Sequence, residues 1–292
     1  MYKGVFTAII TPFNQDESIN FEKLAELIEF NIENGVSGIV PCGTTGESPT
    51  MTHQEKLAVI KKTVEIVNGR VKVIAGTGSN CTKASVEMSK EAEKLGVDGV
   101  LIVNPYYNKP TQEGLYRHFK AIADAVNIEV ILYNIKGRSA INLETETLLR
   151  LEKDCSNINT VKEASGNLEQ MKNVIAQTPD TFSVLSGDDG IALELVKLGG
   201  QGVISVASNV IPNVMSKMMN YALSNDMEKA ENINKKWSEF FNIEFIETNP
   251  IPVKYMLVKQ GKIEEIYRLP ICPMSNTNKA KVDAYMEQME LL

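Results

Sequence analysis

Eight short apolar runs, rich in β-branched residues, recur between Gly4 and Val206. They span Gly4–Ile10, Ser37–Pro41, Val71–Ala75, Gly99–Val103, Glu129–Tyr133, Ile158–Lys162, Phe182–Ser186 and Gly202–Val206. Amphipathic stretches separate them, among them Phe21–Asn34, His53–Val67, Lys83–Leu95, Thr111–Ala125 and Leu143–Lys153. Leu24, Leu27, Ile28 and Ile32 illustrate the helical spacing of the apolar positions. This alternation predicts parallel βαβ units, and eight of them predict a closed (β/α)8 TIM barrel. An open doubly wound sheet would be expected to carry a Gly-x-Gly-x-x-Gly turn after its first strand. Thr11-Pro12-Phe13-Asn14 stand there instead. After Val206 the spacing is helical over Ile211–Ser224, Met227–Phe241, Asn249–Gln260 and Asn278–Leu291. Only the first of these is needed to finish the barrel. The chain therefore divides into a barrel over residues 1–224 and a C-terminal helical appendage over 225–292, whose default role is packing or oligomerisation.

Composition narrows the function classes. A net charge of −7 argues against general binding to nucleic acid or to an anionic membrane. No apolar run approaches the length of a membrane-spanning helix, and the N-terminus enters an apolar strand without a signal-peptide pattern. Cys42, Cys81, Cys155 and Cys272 are scattered without a Cys-x-x-Cys pair, which is expected of reduced thiols in a cytoplasm. With only His53 and His118 for histidines, a histidine-rich metal site is not expected. Carbonyl chemistry in this chain would need another source of activation, and a lysine imine supplies one.

In a barrel of this kind, chemistry gathers where strands end and βα loops begin. Lys162 closes an apolar strand, either paired with Glu163 or as a poorly solvated amine whose ammonium form is disfavoured and which attacks carbonyls. Gly43-Thr44-Thr45-Gly46 reads as a loop that cradles an oxyanion with N–H groups and hydroxyls, or as a tight turn with Ser48 capping the next helix. Tyr133 closes its strand beside the lysine strand, where a phenol shuttles protons or simply caps the core. Arg138, in the following loop, is a surface charge or a planar fork for a second carboxylate. Tyr106-Tyr107 either stack in the core or reach across a subunit interface.

Taken together, several motifs resemble one family. They are Gly43-Thr44-Thr45-Gly46-Glu47, Asn104-Pro105-Tyr106-Tyr107-Asn108-Lys109-Pro110, Tyr133-Asn134 with Arg138, Val161-Lys162-Glu163-Ala164-Ser165-Gly166, Leu185-Ser186-Gly187-Asp188-Asp189, Gly202-Val203-Ile204-Ser205-Val206 and Asn249-Pro250-Ile251-Pro252-Val253-Lys254. In order and over essentially the whole chain, they resemble the dihydrodipicolinate synthase / N-acetylneuraminate lyase family. The resemblance implies a cofactor-free, homotetrameric class I aldolase that forms an imine between Lys162 and pyruvate. It implies a proton relay of Thr44, Tyr133 and Tyr107, the last from a neighbouring subunit. By the same carry-over, Thr45 holds the pyruvate carboxylate, while Gly187 and Ile204 line the pocket through main-chain atoms. Arg138 resembles the branch that condenses pyruvate with L-aspartate 4-semialdehyde to 4-hydroxy-tetrahydrodipicolinate, at the head of the diaminopimelate/lysine route.

Two competing readings are a sister aldolase or lyase acting on a sialic or deoxy-sugar acid, and a non-catalytic keto-acid sensor. The chain also departs from the family pattern. Lys136 stands where proline is usual before the arginine, which is expected to loosen that loop. Ser48, His53, Asn80 and Tyr106 match residues with which some relatives bind inhibitory lysine between subunits. However, Ala84 replaces the acid, and Lys56 a histidine, of that pattern. Weak or absent inhibition by lysine is the expectation.

Overall fold

Each barrel strand buries both faces, so its side chains alternate between two apolar compartments. The computed structural model describes all 292 residues. Its strands are β1 (Gly4–Ala8), β2 (Gly38–Val40), β3 (Lys72–Gly76), β4 (Gly99–Val103), β5 (Glu129–Asn134), β6 (Thr160–Glu163), β7 (Ser183–Ser186) and β8 (Gly202–Ser205). All pair in parallel and in chain order, and β8 returns to β1 to close the barrel. Inward-facing Phe6, Val40, Ile74, Leu101, Ile131, Leu185 and Ile204 form a small inner core. Outward-facing residues such as Val5, Ile39, Val100, Leu132, Val161 and Val203 join a much larger core beneath the helices.

The surrounding helices are α1 (Phe21–Glu33), α2 (His53–Val67), α3 (Thr82–Lys94), α4 (Gln112–Ala123), the single turn α5 (Lys136–Ser139), α6 (Thr145–Asp154), α7 (Leu168–Gln177), α8 (Ala192–Lys197) and α9 (Pro212–Leu223). Their starts follow local chemistry. Asn20, Thr111 and Asn167 each accept an N–H of the first turn, and Thr52 with Glu55 forms a reciprocal capping box on α2. Thr52, not Ser48, caps that helix; Ser48 instead opens a short 3₁₀ turn over Ser48–Thr50. Asn209 seals the junction of the first and last strands. Its side chain accepts from Ile10 N–H at 3.0 Å and donates to the Ala8 carbonyl at 2.9 Å.

The C-terminal helices are α10 (Met227–Ile243), α11 (Ile251–Lys259) and α12 (Asn276–Gln288). Trp237, Phe240, Ile251, Val253, Met256 and Val282 belong to the same continuous apolar core as the barrel's outer face. No helix is long and apolar enough to cross a membrane. All four cysteines are free thiols.

Candidate active site

At the C-terminal ends of the strands, Lys162 faces inward from β6, in register with Tyr133 on β5 and Leu185 on β7. Period-two alternation puts Glu163 on the opposite face. Its carboxylate accepts from Asn134 at 3.1 Å and from Ser165 N–H at 2.8 Å, and burial pushes its pKa up. Pairing between Lys162 and Glu163 is thereby excluded. Lys162 is only 5% exposed, and its Nζ lies 4.2 Å from the centroid of the Tyr133 ring.

Asn134 organises the ends of three strands behind this pair. It accepts from Asn104 Nδ2 and from Leu143 N–H, each at 2.9 Å, and donates to Glu163 and Asn142. This amide network fixes β4, β5 and β6 relative to one another, and so fixes Tyr133 against Lys162.

The cavity over Lys162 has a volume of about 130 Å³. It is lined by Thr44, Thr45, Tyr133, Arg138, Gly187 and Asn249, with Ala8, Val40, Leu101, Val206 and Phe245 among its apolar walls. The N–H groups of Thr44 and Thr45 donate to no protein acceptor. Thr45 Oγ1 accepts from Asn249 Nδ2 at 2.9 Å, which leaves its own proton free to be donated. An anion-cradling loop fits these facts; a simple tight turn leaves the free donors unexplained. Gly187 closes the cavity, and a Cβ there would press on Ala164 and the Lys162 side chain.

Arg138 stands at the rim on α5. Lys136 occupies the first helical position of that turn, where proline's fixed φ would be favoured. Ser139 holds the turn instead, its hydroxyl donating to the Ile135 carbonyl at 2.8 Å. The Arg138 guanidinium donates to the Asn249 carbonyl at 3.3 Å. Ile204 lies fully buried in the inner core, below the cavity wall that Val206 provides.

A second cavity of about 270 Å³ adjoins the first through Thr44, Tyr133 and Arg138 and extends to Ser48, Lys56 and Tyr106. It is lined by no acidic residue. His53 and Asn80 lie outside its lining. His53 pairs with Glu91, while Asn80 donates to the Tyr106 carbonyl at 3.2 Å. Ala84 is exposed on α3. Tyr106 and Tyr107 do not stack in the core. Tyr107 is 90% exposed with a φ of 72°, and it lines neither cavity of its own chain. Asn249, Phe245 and Asp188 complete the site without having been given a role from the sequence. A polar Asn just ahead of the largely apolar helix Ile251–Lys259 was the available signal for Asn249.

Comparison with known proteins bears on the chain and its fold. A 4-hydroxy-tetrahydrodipicolinate synthase of Methanocaldococcus jannaschii is 50% identical over 292 residues, covering 100% of both chains. The crystal structure of a dihydrodipicolinate synthase from Aquifex aeolicus is 42% identical, covers 99% of both chains and superposes with a TM-score of 0.98. A chloride-inhibited dihydrodipicolinate synthase from Acinetobacter baumannii, solved with pyruvate, is 40% identical with a TM-score of 0.97 over 99% of both chains. The Dihydrodipicolinate synthetase family matches residues 1–289, and the chain belongs to that family.

Proposed function

We propose that this chain is a lyase that condenses pyruvate with L-aspartate 4-semialdehyde to 4-hydroxy-tetrahydrodipicolinate, through an imine on Lys162. The observation that carries the mechanism is a buried amine without a salt-bridge partner, facing a phenol, under a loop with free N–H donors. The neutral amine attacks the ketone of pyruvate, and loss of water leaves an imine. The protonated imine acts as an electron sink, so the methyl group gives up a proton and becomes an enamine carbon. That carbon attacks the aldehyde, forming the new C–C bond. The amino group of the bound semialdehyde then attacks the imine carbon, closes the ring and releases Lys162 as a free amine.

Thr44 and Tyr133 line the path on which these protons move, and hydroxyls there serve as acid and base in turn. Thr45 and the loop N–H groups receive the pyruvate carboxylate. Arg138, unpaired with any acid and held by Asn249, receives the carboxylate of the semialdehyde. Tyr107 reaches a site only in a second copy of the chain, which fits a homotetramer built on shared sites. Four cysteines without a disulfide support a cytoplasmic location.

The test is borohydride reduction in the presence of pyruvate, followed by peptide mass mapping and an assay for semialdehyde consumption. A pyruvate adduct on Lys162 together with turnover is expected. An adduct without turnover would move the second substrate to another aldehyde, and no adduct would remove the imine mechanism altogether.

A further inference from the structure

Behind the Gly43–Ser48 loop, Glu47 and Lys254 form an ion pair of 2.6 Å with side-chain exposures of 0% and 1%. The ammonium also donates to the Ile266 carbonyl at 2.7 Å, and the rings of Phe13 and Tyr267 lie 4.6 and 4.8 Å away. The second oxygen of Glu47 receives the Arg268 N–H at 3.4 Å. Pairs enclosed in this way add little net stability, because desolvation offsets most of the Coulombic gain. Their place in the fold is therefore the informative feature.

Glu47 lies two residues beyond Thr45 and takes a left-handed φ of 54°, while Cys42, before the loop, takes 59°. Non-glycine residues enter that region only when their surroundings impose it. At the Cys42 end Gly76 leaves room for the loop, since a Cβ there would come within 2.2 Å of the Cys42 carbonyl. At the other end Lys254, reaching in from α11, holds the Glu47 carboxylate. Arg268, from the segment that follows α11, braces the next turn. It donates to the Thr50 carbonyl at 3.2 Å and grips Glu55 at 2.6 and 3.0 Å.

We propose that Glu47 and Lys254 are a positioning pair through which the C-terminal region sets the aim of Thr44 and Thr45 at the keto-acid carboxylate. The pair touches no substrate. It acts through the loop, whose N–H groups stabilise an anion only when held in place. This inference rests on the reaction assigned above and deepens it, by placing part of the pyruvate specificity in α11.

The test uses the full-length double variant Glu47→Gln/Lys254→Met, which removes both charges at similar volume, because either single change strands a buried charge. The double variant is expected to fold and to keep its oligomeric state. Its KM for pyruvate should rise about tenfold or more, the equivalent of one charge-assisted hydrogen bond. The KM for the semialdehyde, governed by Arg138, should stay near the wild-type value. Borohydride trapping of the pyruvate imine should need correspondingly more pyruvate. A folded double variant with wild-type pyruvate KM would overturn the proposal. Should the double variant not fold, Glu47→Asp keeps the charge and shortens the reach by one methylene; a raised pyruvate KM supports the pair and an unchanged one refutes it. A wild-type chain that traps no pyruvate overturns the underlying reaction, and this inference with it.

Discussion

At Gly187 an added Cβ would lie 2.6 Å from the Ala164 Cβ and 2.9 Å from the Lys162 Cε, so a side chain there would displace the amine. Gly187→Ala is expected to cost about 1–3 kcal/mol through overpacking. If the displaced group is Lys162, imine trapping slows by about tenfold for each 1.4 kcal/mol borne by the transition state. Melting and the rate of borohydride-trapped adduct formation, measured on the same preparation, check both effects. A variant that traps pyruvate at the wild-type rate would show that Ala164 yields instead. The sequence carried Gly187 as a pocket-lining residue, but its reason for being glycine is a contact with β6 that only the barrel creates. Lys162 shows the same division. Its position at a strand end was legible, whereas its freedom from Glu163 depended on which face each side chain takes.

Between helices the informative group is His118, buried on α4 where it meets α3. Its Nδ1 lies 2.9 Å from Thr82 Oγ1, its Nε2 has no protein partner, and burial holds its pKa down at about 4 against an ordinary 6.5. The native state therefore favours the neutral ring. As pH falls below 6.5 the unfolded chain binds the proton first, so stability declines until the native ring also protonates near 4. The full effect amounts to about 3 kcal/mol. Denaturant melts between these pH values, compared with His118→Gln, should show the wild type losing more stability than the variant. Equal losses would refute a buried neutral ring. Lys254→Met alone, which leaves Glu47 enclosed without its cation, is expected to cost about 3–5 kcal/mol, measured by the same melts. The spacing of α11 marked it as a helix. That a lysine in its middle reaches the Gly43–Ser48 loop follows from the path of the chain between Phe241 and Ile251, which no local pattern encodes.

For the whole molecule, Tyr107 and the larger cavity set the expectations. Tyr107 is exposed and left-handed at the mouth of the barrel. Substitutions that keep the chain monomeric should leave it folded but largely inactive, as judged by circular dichroism and turnover at matched concentration. Full activity in such a monomer would refute a shared site. The cavity at Ser48, Lys56 and Tyr106 is lined by two cations, Lys56 and Arg138, and by no acid. An incoming lysine would there meet Lys56 with nothing to receive its ammonium. Turnover is therefore expected to persist in millimolar lysine, and half-maximal inhibition below that range would refute this.

The barrel and the residues gathered at its mouth were legible in the amino-acid pattern. Apolar runs of strand length, alternating with helical spacing, have one economical way to bury both faces, and that closure brings every strand end to one rim. Lys162, Tyr133, Thr44, Thr45 and Arg138 were readable there because strand ends and loop chemistry are local properties. Tertiary structure alone decided how those groups are held. Asn249 on Thr45, Asn134 across three strand ends and Lys254 on Glu47 join residues far apart in the chain. Such contacts depend on chain path and side-chain reach, and neither is written in the periodicity of any one segment.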